Sequence, residues 1–158
     1  VAIMQDEYSL FVREPEEKLL GAAKAHGMAF MAFAPLGRGI LAGLFHAVQD
    51  IPEGDERRQD DRYTPGNFER NVAMVRALDG VAAEKGVSVS ALALAWLIHQ
   101  PGRVIPIPSS KSRKHLTENI KAASLDLSSE DLARINAICP DGAAGASNHE
   151  RNRAGAAR

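Results

Sequence analysis

Ile105-Pro106-Ile107-Pro108-Ser109-Ser110-Lys111, continuing to His115-Leu116 and Glu118-Asn119, is the stretch that decides how this chain folds. It reads as a short apolar strand ended by two prolines, a turn through two serines and a lysine, and then a helix. The first turn of that helix carries Lys111, Arg113, Lys114 and His115. Such a strand-to-helix turn aims backbone N–H groups, hydroxyls and cations at one point in space, which is what a phosphate requires. The same residues also fit a solvated, serine-capped helix start with incidental charge. The motif alone leaves both readings open.

Working outward, the strand over Val104 to Ile107 is the third of its kind. Val1 to Met4 is a short apolar run that stops at the polar pair Gln5-Asp6, and Met28 to Phe33 is a second continuous run. Between them, Pro15 among Glu14, Glu16 and Glu17 marks a helix start, Leu19, Leu20 and Ala23 supply its apolar face, and Gly27 stops it. Phe45 to Asn67 is polar and rich in Asp, Arg, Pro and Gly, which predicts a long surface loop. Val72, Val75, Leu78 and Ala82 then repeat at helical spacing. Ser88 caps a further helix that turns Leu92, Ala95 and Trp96 inward.

A helix over Ser112 to Ala123 follows the third strand. Ser128 to Asp131 opens the last one as a capping box, with Leu127 and Leu132 placed as a staple and Leu132, Ile135 and Ile138 on its inner face. Residues 141–158 are Ala, Gly, Asn and Arg without periodicity, a composition that predicts a disordered tail beyond a single domain over 1–140.

Strands alternating with helices predict parallel βαβ units in an α/β fold. Three strands are too few to close a (β/α)₈ barrel, which takes eight units and about 250 residues. A lone three-stranded piece leaves apolar edges unpaired. The chain also starts on Val inside a strand. The expectation is the C-terminal part of a TIM barrel, about strands six to eight with their helices, in which the loops after the last two strands often hold phosphate.

Composition narrows the function classes. With 45% hydrophobic and 25% charged residues the 158-residue chain is globular in type, and a net charge of −1 offers no electrostatic reason to bind nucleic acid or an anionic membrane. No apolar run approaches the roughly 18 residues that span a bilayer. Cys139 stands alone, so it has no internal disulfide partner, which fits a reducing, cytoplasmic location. The five histidines lack metal-ligand spacing, and Ser109-Ser110 lacks the glycine elbow of a hydrolase nucleophile. His26 and His99 sit in final helix turns, where a cation suits the dipole, and Arg57, Arg58 and Arg62 are balanced by neighbouring acids in what reads as a solvated loop.

Ala34-Pro35-Leu36-Gly37-Arg38-Gly39-Ile40-Leu41-Ala42-Gly43 follows the second strand, and three glycines at this spacing let a backbone approach a bulky ligand. It lies one βα unit before the Ser109-Ser110-Lys111 turn, as a dinucleotide laid across adjacent loops would need. Here the chain resembles the aldo-keto reductase family. Gln5-Asp6-Glu7-Tyr8-Ser9-Leu10 with Arg13 is similar to that family's Q-x-E-Y-S-L-x-x-R segment, and Phe33 to Gly39 to its Y-S-P-L-G-R-G. Asp55 to Arg58, Arg62-Tyr63, Phe68 and Asn71 resemble the loop that comes next. Ser90 to Leu97 resembles A-Q-L-A-L-A-W-L, and Ile105 to Asn119 resembles I-P-I-P-G-T-K-x-x-x-H-L-x-E-N.

The resemblance implies an NADP(H) site. Gln5 would bond the nicotinamide carboxamide and Phe33 would stack on its ring, an aromatic face being enough for that. Pro35, Leu36, Gly37, Arg38, Gly39 and Leu41 would line the pyrophosphate. Ser109, Ser110, Lys111 and His115 would meet the 2′-phosphate, and Glu118 and Asn119 the adenine. It further implies hydride transfer between NADPH and a small carbonyl substrate, with a Tyr proton donor, a Lys–Asp pair and a His on strands earlier than any here. The two tyrosines, Tyr8 and Tyr63, have no Lys and Asp spaced to accompany them. The chain is therefore expected to hold a cofactor site, no catalytic residues and no metal, and to need the N-terminal half of the barrel. The rival reading is a non-catalytic NADP(H)-binding or regulatory module.

Overall fold

The computed structural model describes residues 2–146. β1 (Ile3–Glu7), β2 (Ala29–Phe33) and β3 (Val104–Pro106) lie side by side in chain order and run parallel. Parallel neighbours cannot be joined by a hairpin, so each crossover carries helix. α1 (Leu19–Ala25) links β1 to β2, while α2 (Asn67–Glu84) and α3 (Val89–Ile98) lie between β2 and β3. α4 (Arg113–Lys121) and α5 (Ser129–Ile138) follow. No single helix among the described residues is long and apolar enough to cross a membrane.

Register decides which side chains meet the helices. Met4, Phe30 and Val104 align across the sheet and turn inward, with Phe30 and Val104 buried. Gln5, Met31 and Ile105 form the next row on the opposite face, where Gln5 and Ile105 are exposed. The first strand lies further along than the apolar run Val1 to Met4 predicts. It runs into polar residues because Glu7, at its end, is drawn into the interior by Arg62.

α3 is the hub. Its sequence suggests one inward stripe, yet Val89, Ala91, Leu92, Ala93, Leu94, Ala95, Trp96 and Leu97 are all buried, as befits a helix apolar all round. It packs on α2, α4 and β3. Trp96 donates its indole N–H to Asn136 Oδ1 at 3.0 Å, and Tyr8 lies 5.5 Å from it and 5.9 Å from Phe30. Arg13 covers the indole at 4.8 Å, pairs with Glu16 and donates to the Cys139 carbonyl at 3.1 Å. One cationic side chain thus joins the start of the chain to the end of α5.

The segment Phe45 to Asn67 is not the solvated loop its composition predicts. It folds into three 3-10 turns, Val48–Asp50, Glu56–Gln59 and Asp61–Tyr63, and buries Phe45, Ile51, Asp60, Arg62 and Tyr63. Arg62 pairs with Glu7 at 3.2 Å with both side chains inaccessible, and Asn71 donates to the Arg62 carbonyl at 3.1 Å.

The first residues of the stretch expected as a tail are tied to the fold. Ala143 N–H donates to the Phe11 carbonyl at 3.0 Å, and Ala144 exchanges two hydrogen bonds with the Asn71 amide. A Cβ on Gly142 would lie 2.7 Å from the Phe11 carbonyl oxygen, and one on Gly145 2.7 Å from that of Asp61. These glycines serve close approach and not looseness. Residues 147–158 lie outside the described residues.

Removing one member of a buried ion pair strands the other charge, at a cost of about 3–5 kcal/mol. Arg62→Met alone should lower the urea unfolding free energy by about that much. Combining it with Glu7→Leu should recover most of the loss. At the start of α5, Lys85 and Ser128 hold the Asp131 carboxyl at about 2, below its ordinary 3.8. A depressed folded pKa contributes stability above the unfolded value that is lost as pH falls. Acid unfolding between pH 4 and 2 should therefore be shallower in Asp131→Asn than in the parent.

Candidate functional site

At the carboxyl ends of β2 and β3 the chain leaves the sheet through two turns, and a groove of about 830 Å³ runs between them. One wall is the turn after β2: Ala34, Pro35, Leu36, Arg38, Gly39, Ala42 and Leu44. The other is the turn after β3 and the exposed start of α4: Ile107, Pro108, Ser109, Lys111, Lys114, His115, Glu118 and Asn119. The two stretches singled out in the sequence are thus brought face to face.

Not every candidate reaches the groove. Leu41 is wholly buried and Gly37 lies under Phe11, so both support the wall from behind. Ser110 turns its hydroxyl back on the chain, donating to the Ser112 carbonyl at 2.9 Å and accepting from the Ser112 N–H at 3.1 Å. Gln5 and Phe33 stand on the open face of the sheet, with Gln5 opposite Met31 and Phe33 opposite Glu7. The groove begins at Ala34, the residue after Phe33.

Ser88, Ser90 and Arg57 line the groove without having been singled out as site residues. Arg57 is read in the sequence as part of a solvated cluster because its acidic neighbours hide its reach. It is held by Asp55 through two bonds of 2.8 and 2.5 Å, lies 4.6 Å over the Phe45 ring, and donates to the Arg38 carbonyl at 3.3 Å. That guanidinium keeps the Asp55 carboxyl far below the usual carboxylate range. Arg58 instead donates to the Ile51 and Pro52 carbonyls.

The turn itself is unusual. Ala34 at φ +46° and Arg38 at φ +55° are the only non-glycine residues in the left-handed region among those described, a conformation costing about 1–2 kcal/mol each. Leu36 at φ −108° is followed by Gly37 at φ +56°. Within the turn the Gly37 N–H donates to the Ala34 carbonyl and the Gly39 N–H to the Leu36 carbonyl, each at 3.0 Å, which closes it tightly.

Charge agrees with shape. Arg38, Arg57, Lys111 and Lys114 face the groove against one acid, Glu118, which Lys121 keeps ionised below its ordinary range. Such a groove can bind a long anion and offer a carboxylate to an amino group at its far end. The volume lies within the few-hundred to thousand Å³ of small-molecule sites. Volume and cations therefore fit a phosphate-bearing dinucleotide.

Neither tyrosine is placed to transfer a proton. Tyr8 donates to Glu16 at 3.0 Å and Tyr63 to the Arg38 carbonyl at 2.9 Å. Burial pushes both phenols well above their usual value, the direction opposite to an activated acid. No group of three or more His, Cys, Asp or Glu residues suited to a metal ion occurs among the described residues.

The aldo/keto reductase family profile matches residues 1–140, and the chain belongs to that family. It is 35% identical over 142 residues to the aldo-keto reductase yakc [NADP(+)] of Schizosaccharomyces pombe, covering 88% of this chain and 42% of that protein. It is 32% identical over 144 residues to the aldo-keto reductase str7 of Strobilurus tenacellus, covering 89% and 43%. Among solved structures it is similar to a glycerol dehydrogenase from Gluconobacter oxydans, with TM-score 0.81, 27% identity, and 87% of this chain against 42% of that one. An aldo-keto reductase from Klebsiella pneumoniae in complex with NADPH gives TM-score 0.61 and 29% identity, over 88% and 39%. The chain thus spans less than half the length of these relatives, and its three-stranded parallel α/β sheet is consistent with a partial barrel.

A Cβ on Gly37 would sit 2.9 Å from Phe11 Cδ2, on a backbone that L-residues resist. Gly37→Ala should cost at least about 1–2 kcal/mol in thermal unfolding. Gly21→Ala, in open space on α1, should be neutral or stabilising by up to about 1 kcal/mol.

Proposed function

We propose that this chain carries the cofactor-holding part of an NADP(H)-dependent oxidoreductase that moves hydride between the dinucleotide and a small aldehyde or ketone. The observation that carries the reading is the groove, in which the glycine turn after β2 and the Ser109–Lys111 turn after β3 face one another with cations on both walls. The family's relatives named for NADP(+) and solved with NADPH support the choice of dinucleotide.

In this reading the turn from Pro35 to Gly39 receives the pyrophosphate, with Arg38 and Arg57 supplying charge. Ser109, Lys111 and His115 meet the 2′-phosphate, while Glu118 and Asn119 take the adenine edge. Gln5 and Phe33 serve the nicotinamide end, just beyond the sheet face on which they stand. The bound dinucleotide supplies the hydride. What these residues do is bind it, orient it and neutralise its phosphates.

Proton transfer falls to strands outside this chain. Both tyrosines here are committed to structural hydrogen bonds with raised pKa, which supports that assignment. Among the described residues the outer edges of β1 and β3 have no strand partner, and this, with the exposure of Ile3 (45%) and Ile105 (40%), supports completion by the remaining barrel strands.

Lys111→Ala tests the phosphate assignment in a titration that follows NADPH fluorescence, because Trp96 is buried away from the groove. A charged hydrogen bond to phosphate is worth roughly 1.5–3 kcal/mol, so NADPH affinity should fall about ten- to a hundredfold while NADH affinity changes little. Equal losses for the two would remove the 2′-phosphate from Lys111.

A further inference from the structure

Arg38 is held in its left-handed conformation from one side only. Its carbonyl oxygen accepts from the Tyr63 hydroxyl at 2.9 Å and from Arg57 Nη1 at 3.3 Å. Its guanidinium lies 3.5 Å from Asp60 Oδ2, a carboxylate with no exposed surface. All three partners belong to the pair of tight turns Glu56–Gln59 and Asp61–Tyr63 and the residue between them. Asp60 also accepts from the Arg62 N–H at 3.1 Å, which locks the second turn onto the first. Strained backbone persists only where its surroundings over-determine it, and it gathers at ligand clamps. Here the surroundings are a strap of nine residues, Asp55 to Tyr63, anchored in turn by the buried Arg62–Glu7 pair.

Arg57 touches the groove itself, so it could act on a ligand directly. Asp60 and Tyr63 do not line it. Tyr63 is 2% exposed, stacked 5.8 Å from Phe68 and edge-on 6.1 Å from Phe45. Their polar side-chain contacts with the groove wall are made to Arg38, while Tyr63 also meets Phe45, on which Arg57 is stacked. We propose that Tyr63 and Asp60 are positioning residues for the dinucleotide: they hold Arg38 left-handed and so set the shape of the groove wall that meets the phosphates. This rests on the reading of the groove given above. The chemistry is economical, because one hydroxyl and one carboxylate fix both the carbonyl and the guanidinium of the same residue.

Glycine takes a φ near +55° without help. The strap should therefore matter when residue 38 is Arg and cease to matter when it is Gly. A double-mutant cycle reads this out, since the direct loss of the Arg38 charge cancels in it. Tyr63→Phe should weaken NADPH binding roughly three- to tenfold, the net worth of one hydrogen bond. In the Arg38→Gly background the same substitution should change it by less than about twofold. Asp60→Asn gives a second cycle should the loss of the hydroxyl disturb packing.

Hydrogen exchange at the amides of residues 37–43, without ligand, supplies a readout independent of NADPH. Exchange should quicken in Tyr63→Phe with Arg38 present and stay unchanged with Gly at that position. Equal losses of affinity in both backgrounds, or no effect of Tyr63→Phe on either readout, would overturn the proposal. If the exchange pattern appeared in a protein that bound no NADPH, the dinucleotide reading would fall and the restraint on Arg38 would stand.

Discussion

Arg62 and Glu7 meet where neither has water, and much of the molecule is arranged around keeping them together. Neither charge could remain buried alone, because desolvation without a partner is too costly. The pair obliges the end of β1 to turn inward and obliges the segment after the glycine turn to fold back over it. Once Arg62 is fixed, its backbone presents a carbonyl to Asn71 on α2 and an N–H to Asp60. Sheet, connection and helix are thus registered against each other through a single arginine, by its guanidinium and its backbone.

The groove depends on that registration. A parallel sheet sends every strand out at the same edge, so the turns after β2 and β3 become neighbours although more than seventy residues separate them in sequence. The two walls differ in how firmly they are held. The glycine turn is packed from beneath by Phe11 and Leu41 and tied from the side by Tyr63 and Asp60. The opposite wall is looser in construction, because α4 has no buried residue and presents Leu116 and Ile120 to solvent. One side is thus fixed by core packing, while the other rests on a helix that gains little from packing.

Helices and strands were legible because their signals are local. Ser88 and Ser128 cap as their positions predict, and the apolar runs Met28 to Phe33 and Val104 to Ile107 hold the second and third strands. The motifs around Gly37 and Lys111 pointed to one groove, which the fold assembles. Three things were not legible. The charges of Asp55 to Arg62 read as surface because alternating acids and bases in sequence say nothing about distant partners such as Glu7. Leu41 and Gly37 read as contact residues because a glycine-rich loop does not reveal which side faces in. Ser110 read as a phosphate ligand, whereas its hydroxyl closes a local turn with Ser112, a competition that short hydroxyl side chains commonly win for their own backbone.

The hydrogen bonds from Ala143 and Ala144 back to Phe11 and Asn71 carry a consequence for how the chain is made. They span 132 and 73 residues, and Arg13 reaches the Cys139 carbonyl across 126 more. During synthesis, β1, the strap and α2 all emerge before the segment that pins them exists. The contacts that tie the segment after β1 to residues 139–144 therefore form late, after more than a hundred intervening residues have been made. The fastening of Phe11 and Asn71 is complete only once residues 143 and 144 have joined them.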